Sequence, residues 1–330
     1  DSPIQIVVKE GTTTTAGNAY LSYLRASTIT VPSNVHLYGG FPESLTGTDI
    51  SRRDPKNHPT RITANITGGS YKDNGTHIIV IGHGTSNAVV DGFQLYFANT
   101  QPNEVLKELG VRSGAGIAVL NAPTYPSTGK PTPAMTGNII RNCIVANCTA
   151  PQGAALYMGN YSGRTMELKV ENCIFHNNAV LAADSAIVAV SGENTRLELN
   201  HCLVRGNVGY AVQAMNNAGI TMTNTALHAN IGFDSAPADA NLKVADLTAT
   251  ADKADGRVRT FNVLNGGTLT GNNNMMDIGL TDFTDVADPI LRYHSTYTNE
   301  NPNFVNATSN IGVNMDGDVT VYGSDPDWMP

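Results

Sequence analysis

The sequence predicts an all-β fold, a single-stranded right-handed parallel β-helix, and three observations favour it. Similar segments recur at intervals of about 20–30 residues, which is typical of stacked solenoid coils. Within each copy apolar residues alternate with polar ones, the pattern of strands with one buried face. No helical pattern lies between successive strands, so they stack directly on one another rather than through crossover helices.

The repeat is clearest around a recurring cysteine segment. NCIVANC (142–148) returns as NCIFHNN (172–178) and HCLVRGN (201–207). Aligned on the cysteine, five copies place one residue each in a predicted inward-facing core column: Phe93, Cys143, Cys173, Cys202 and Thr225. Successive members of this column are separated by 50, 30, 29 and 23 residues.

Asparagines are expected at two places in each coil. The residue before the core column is usually Asn, which tolerates the left-handed backbone conformation that a sharp corner needs. Five residues after the column stand Asn178, Asn207 and Asn230. We expect these three to form an internal ladder, because each amide can bond to the next coil and so satisfy polar atoms that are costly to bury unpaired.

The repeat also predicts the domain organisation. Regular coils are expected over 1–231, with rim insertions at 98–114 and 121–137. The remainder, 232–330, is expected to form less regular C-terminal coils and a cap of the same domain, since open solenoid ends aggregate.

Composition limits the function classes. Apolar residues make up 41% of the chain and charged residues 15%, with a net charge of -8. A nucleic-acid partner is not expected, since phosphate neutralisation needs a basic stripe. No apolar run reaches the length of a membrane span. The first residues, DSPIQIVVKEG, enter a strand-like run at once, so we expect either a trimmed mature protein or a piece of a longer one. We expect it to be a monomer or part of a larger chain.

Several N-terminal motifs carry a family resemblance. They are the YGGF run Tyr38–Phe41, the pair Arg53-Asp54 and the run Val90–Phe93, with NPNFVNA at 301–307. With their surrounding segments these motifs resemble secreted pectin-lyase-like β-helix proteins of Gram-negative anaerobes, which are related to polymorphic outer-membrane proteins and adhesins. The resemblance implies a β-helix, export, and an extracellular or outer-membrane-surface location. It implies no single activity.

Three interpretations apply to the cysteines: core thiols, a disulfide or a metal site. Stacked parallel strands aim their Cβ atoms the same way, which strains a bridge between them. Zinc needs a tetrahedron of ligands, which a straight column does not supply. We therefore expect free buried thiols, which behave as small hydrophobes, and no metal. No cofactor is expected, and calcium held by carboxylates is the one cofactor left open.

Two outward columns are candidates for binding. The first contains Tyr96, His176, Arg205 and His228 and is expected to face solvent. Aromatic rings stack on sugars and arginine pairs with carboxylates, so this column suits a glycan or an anion, although it can equally be an ordinary polar face. The second contains Asp91, Arg141 and Glu171. It suits calcium-dependent lyase chemistry or, more simply, a solvated ladder of opposite charges.

The insertion at 121–137 is expected to protrude beside one face of the solenoid. A groove for a ligand would then lie near Tyr125 and Lys130, unless the insertion only shields a strand edge.

Three functions follow from these features. The first is an exported, non-catalytic, adhesin-like protein that binds a glycan or a host surface protein. The second is a polysaccharide lyase or glycoside hydrolase acting on acidic polysaccharide, which requires convergent acids and bases in a groove. The third is a structural passenger or spacer of a larger autotransporter-like exported protein, including exported proteases. The sequence names no catalytic residue.

Overall fold

A computed structural model describes residues 2–11, 20–21, 28–47, 49–65, 74–100, 113–182, 184–228, 230, 260–272, 274–276 and 297–298. A 3-10 helix is formed by Ile50–Arg52. The described strands are β1 (Ile4–Lys9), β2 (Tyr20–Leu21), β3 (Ile29–Val31), β4 (Val35–Phe41), β5 (Thr60–Thr63), β6 (Ile79–Ile81), β7 (Val89–Asp91), β8 (Phe93–Tyr96), β9 (Ile117–Asn121), β10 (Met135–Arg141), β11 (Ile144–Ala146), β12 (Thr149–Ala150), β13 (Leu156–Asn160), β14 (Met166–Glu171), β15 (Ile174–His176), β16 (Ala179–Val180), β17 (Ala186–Ser191), β18 (Thr195–Asn200), β19 (Leu203–Arg205), β20 (Tyr210–Met215), β21 (Gly219–Thr223), β22 (Ala226–His228), β23 (Phe261–Leu264), β24 (Thr268–Asn272), β25 (Asn274–Met276) and β26 (Tyr297–Thr298).

These strands form three long sheets in which every pairing between strands is parallel. Sheet A has the order β1-β4-β7-β10-β14-β18-β21-β24, and sheet B has the order β2-β5-β8-β11-β15-β19-β22-β25-β26. Sheet C has the order β23-β20-β17-β13-β9-β6-β3, and β12 pairs with β16 at a corner. The chain visits A, B and C in turn, and each coil stacks on the one before. The predicted right-handed parallel β-helix is confirmed.

The core runs along the inside of all three sheets. On sheet A the inward residues stack in register, as in the row Val90, Ile140, Val170, Leu199 and Met222. The predicted core column is buried throughout, at Phe93, Cys143, Cys173, Cys202 and Thr225. All four cysteines of the chain are free and buried. Their thiols donate to nearby carbonyls, as Cys173 Sγ does to Glu171 O at 3.2 Å.

The corner between sheets A and B is a left-handed residue, as its asparagines predict. The φ angles of Asn142, Asn172, His201 and Asn224 are 52°, 51°, 53° and 50°. A single residue in this conformation reverses the alternation of inward and outward side chains, so the core column follows directly after it.

The asparagine ladder lies inside the corner that follows sheet B. Asn178 Nδ2 donates to Val145 O at 3.0 Å and to Asn207 Oδ1 at 3.2 Å. Asn207 Nδ2 in turn donates to Asn230 Oδ1 at 2.7 Å. The backbone N–H of Cys148 donates to Asn178 Oδ1 at 3.0 Å. The side chain of Asn178 therefore binds the coil before it, at Val145 and Cys148, and the coil after it, at Asn207.

The expectation that Tyr96 and His176 face solvent is wrong. Both belong to the outer column of sheet B, in register with Ala146, but Tyr96 is fully buried and His176 is 6% exposed. Arg205 and His228, further along the column, are half-buried. On the outside of sheet B, Tyr96 packs in a second apolar layer with Phe97, Ile144, Ala146 and Ile174. Alternation fixes the direction of a side chain but not what covers it.

The expectation of a solvated ladder at Asp91 is also wrong. Asp91 points outward from sheet A but is fully buried, because Arg53 of the connection 42–59 closes over it. Arg141 and Glu171, the next members of the column, are half-buried and follow Asp91 in register.

The rim and the C-terminal part are described only partly. Residues 101–112 of the first predicted insertion lie outside the described residues, as does most of 232–330. Strands β23 to β26 extend the same three sheets. Within the described part of the chain, no helix has the length and apolar character needed to cross a membrane.

Candidate functional site

The three sheets differ in how much of their outer face is open. On sheet C the outward residues Val80, Ala118, Leu120, Tyr157 and Ala189 are buried in a small apolar cluster. Sheet B carries the outer apolar layer described above. On sheet A, by contrast, long polar side chains stand exposed from β14 onward, among them Glu167, Lys169, Arg196 and Thr221. Among the described residues, sheet A therefore offers the most accessible surface.

Six charged side chains on β10, β14 and β18 form what we call the charged face. They pair across neighbouring strands with opposite signs: Arg141 lies opposite Glu171, Glu167 opposite Arg196, and Lys169 opposite Glu198. Lys169 Nζ is 3.6 Å from Glu198 Oε2, and the two side chains are 55% and 45% exposed. Because three of the six are basic and three acidic, the face carries no net charge.

A depression of about 400 Å³ lies on this face. Its sides are formed by Glu167, Lys169, Arg196 and Glu198, and its base includes Ile139 and the backbone of Gly137. Gly219 follows Arg196 in register on the next strand, so this row has no long side chain beyond Arg196 on that side. The long charged side chains thus border a shallow groove whose lining also includes the apolar residue Ile139.

The N-terminal border of the charged face is fixed by the buried Asp91. Its Oδ2 accepts a hydrogen bond from Arg141 Nε at 2.7 Å, and its Oδ1 accepts one from Asn142 Nδ2 at 2.8 Å and another from Arg53 Nη2. Arg53 Nε also donates to Gly39 O at 2.7 Å. Partial burial opposes the charged form of Arg141, but the hydrogen bond and charge of Asp91 still raise the pKa of its guanidinium. Arg141 is therefore a fixed cation at the border of the charged face.

One glycine makes this closure feasible. Gly92 has a φ of 82°, and a Cβ built on it would collide with Nη2 of Arg53. The absence of a side chain allows the guanidinium to reach Asp91 across the corner.

The second predicted insertion forms a turn at the corner between sheets C and A. Thr124 and Pro131 make an antiparallel bridge, and the Tyr125 N–H donates to Lys130 O at 2.8 Å. Tyr125 is half-buried against Gly84, while Lys130 is exposed. The N–H of Ala122 donates to His83 Nδ1 at 2.8 Å, which assigns that imidazole a structural contact in the turn.

One exposed aromatic ring stands one coil beyond this turn. Tyr161 is 51% exposed, and its hydroxyl lies 3.1 Å from that of the buried Tyr157. The Tyr161 N–H donates to Asn121 O at 2.8 Å, so the ring borders the base of the insertion.

The outer column of sheet B does not provide an open binding surface. Burial, with a smaller contribution from the charge of Arg205, lowers the pKa of His176 to about 3, so the imidazole is neutral near pH 7. Burial also lowers the pKa of Arg205. In the described part of the chain, no group of three or more His, Cys, Asp or Glu side chains is arranged to hold a metal ion.

Four residues of the charged face were not among the sequence candidates: Glu167, Lys169, Arg196 and Glu198. The signal was present, because these residues occupy the charged positions that alternate with the apolar residues Met166, Leu168 and Val170 on β14 and with Leu197 and Leu199 on β18. Alternating charge on neighbouring coils identifies them once the register is known.

Residues 134–227 match a family model described as a right-handed beta helix region. The matched segment contains the whole charged face and supports a pectin-lyase-like β-helix. No curated protein and no solved structure matches the chain.

Proposed function

We propose that this protein is a non-catalytic, adhesin-like module that binds an extended glycan on the charged face of sheet A. The observation that carries the proposal is the contrast between the three outer faces. Those of sheets B and C carry clusters of buried apolar side chains, whereas that of sheet A presents exposed charges around a depression of about 400 Å³.

The geometry suits a polymer better than a compact ligand. Parallel strands about 4.8 Å apart present a repeating row of side chains on a rigid scaffold. A rigid surface loses little conformational entropy on binding, so many weak polar contacts can add up. Tyr161 at the corner adds an exposed ring that can stack on a sugar.

We also propose that the protein is exported and displayed at the cell surface. The resemblance of the YGGF and Val90–Phe93 segments to secreted β-helix proteins supports this. Immunoblotting of cell fractions and protease shaving of intact cells test it, and recovery of the protein only from the cytoplasm would contradict it.

A glycan array followed by calorimetry tests the binding function. We expect the double variant Lys169→Ala with Arg196→Ala to weaken binding at least tenfold. Arg52→Ala with Lys56→Ala is the matched control, because it removes the same charge from exposed positions on the connection 42–59. Equal binding by both double variants would exclude the charged face, and retention of a host protein instead of any glycan would change the partner class.

A polysaccharide lyase or glycoside hydrolase is the second candidate. The observation that favours it is the presence of the carboxylates Glu167 and Glu198 beside Lys169 and Arg196 in one depression, which supplies both acids and bases. Incubation with acidic polysaccharides, with detection of new reducing ends and of absorbance from unsaturated products, distinguishes the two. Product formation that is lost in Glu167→Gln would replace the binding function with catalysis.

A further inference from the structure

We infer that the ligand of the charged face is a zwitterionic glycan, in which ammonium and carboxylate groups alternate along the polymer. This inference rests on the proposed glycan-binding function and specifies its substrate class. It comes from the order of the charges rather than from their number.

The signs alternate in both directions on the charged face. Along β14 the outward residues Glu167, Lys169 and Glu171 are negative, positive and negative. Along β18 the first two outward residues, Arg196 and Glu198, are positive and negative, and each lies opposite a residue of the other sign on β14. The result is a checkerboard with steps of about 4.8 Å between strands and about 6.6 Å along a strand.

A checkerboard discriminates between polymers. A polymer of one sign meets repulsion at every second position, and like charges in contact are unfavourable. A neutral polymer covers the charges without pairing them, which costs desolvation. A polymer with alternating ammonium and carboxylate groups can pair with each side chain in turn, since the steps of the checkerboard are close to the length of one sugar unit.

The charges of the face are available to a ligand. The Lys169–Glu198 pair is exposed and 3.6 Å apart, and pairs of this kind contribute little to stability and exchange partners readily. The buried Asp91 differs, because its carboxylate is already held by Arg53, Arg141 and Asn142. The central charges can therefore bind a ligand while the border stays fixed.

The test uses one polymer backbone in two charge states. The first probe alternates glucuronic acid with N-acetylglucosamine, and the second is the same polymer after N-deacetylation, with a re-acetylated sample as control. Polygalacturonate, chitosan and a neutral glucan complete the panel. We expect the deacetylated polymer to bind at least tenfold more tightly than every other probe, with affinity falling as salt is added.

The outcomes separate the two proposals. The zwitterionic class would be overturned if any other probe bound as tightly as the deacetylated polymer or more tightly. The other probes are the parent polymer, polygalacturonate, chitosan and the neutral glucan, and this result would leave glycan binding intact. Binding of no polymer at all would overturn the glycan-binding function itself.

A charge exchange on the protein tests the order of the signs directly. Lys169→Glu with Glu198→Lys keeps the net charge and the cross-strand pair but makes the outward charges of β14 all acidic and those of β18 all basic. We expect this variant to melt as the parent does and to lose at least tenfold in affinity for the deacetylated polymer. Unchanged affinity would overturn the inference. If the exchanged variant does not fold, Lys169→Gln with Glu198→Gln replaces it. We expect the same tenfold loss of affinity for the deacetylated polymer, and unchanged affinity would again overturn the inference.

Discussion

Asp91 accepts a 2.7 Å hydrogen bond from Nε of Arg141, the residue that follows it in register one coil further along sheet A. Asp91 is fully buried, and Arg53 reaches it from the opposite side through the connection 42–59. The carboxylate therefore joins two coils and a long connection at the border of the charged face.

Asp91→Asn is expected to destabilise the protein by about 3 kcal/mol, because removing one partner of a buried ion pair leaves the other charge uncompensated. Urea unfolding followed by circular dichroism gives the free energy of unfolding. Glu171→Gln is the control, since Glu171 occupies the next position of the same column but is half-buried, and a loss below about 1 kcal/mol is expected there. Equal effects of the two substitutions would contradict the anchoring role of Asp91.

The asparagine ladder predicts a second effect on stability. Asn207→Ala removes hydrogen bonds to Phe175 O and Asn230 Oδ1 and leaves the N–H of Asn178 without its acceptor. We expect a loss of about 2–4 kcal/mol in the free energy of unfolding, since unsatisfied buried groups carry their full desolvation cost. Asn200→Ala, on the outer face, is the comparison and should change this free energy by less than about 1 kcal/mol. A ladder residue that behaves like Asn200 would exclude a stabilising ladder.

Acid sensitivity is expected from His176. Its pKa is lowered by burial from 6.5 to about 3, so the unfolded chain binds a proton that the folded chain does not. Above about pH 7 His176 therefore leaves the free energy of unfolding unchanged. As the pH falls from 7 towards about 3, His176 lowers the free energy of unfolding increasingly, by about 2 kcal/mol at pH 5. His176→Gln should remove this part of the pH dependence in urea unfolding at pH 7 and pH 5. His201→Asn, at an exposed corner, should leave it in place, and a parent protein equally stable at both values would contradict the prediction.

The thiols are expected to resist alkylation in the folded state. Burial raises the pKa of Cys148 and of Cys202 to about 12, and it raises that of Cys173 as well, so the reactive thiolate is scarce at pH 8. Mass spectrometry after iodoacetamide treatment should find no label on the native protein and four labels after denaturation, one for each cysteine of the chain. Label at Cys143 or Cys173 in the native protein would show that the core column opens.

The fold was predictable because each coil of a β-helix requires the same types of residue at equivalent positions of the sequence. Inward residues such as Ile140 and Val170 must be apolar in every coil, and the corner at Asn142 needs a left-handed residue, so both features recur at fixed positions. These are local requirements, and one sequence suffices to reveal them.

The outer surface was less predictable because its burial depends on distant residues. Arg53 and Asp91 are 38 residues apart, and nothing in the alternation around Asp91 shows that an arginine covers it. The same holds for Tyr96 and His176, whose outward direction follows from the strand but whose burial follows from the packing around them. The charged face was only partly anticipated, through Arg141 and Glu171, because its pattern appears when neighbouring coils are placed in register.

The corner between sheets B and C has a consequence for how such a protein can change over generations. Nine residues separate β15 from β17, but only four separate β19 from β20, and the A–B corner stays the same in both coils. Coils can therefore gain or lose residues on one side while the row of side chains on sheet A keeps its alignment. Duplication of a whole coil would lengthen the outer face of sheet A by one strand spacing of about 4.8 Å. The ligand-binding surface can therefore become longer in fixed steps while the packing of the core stays the same.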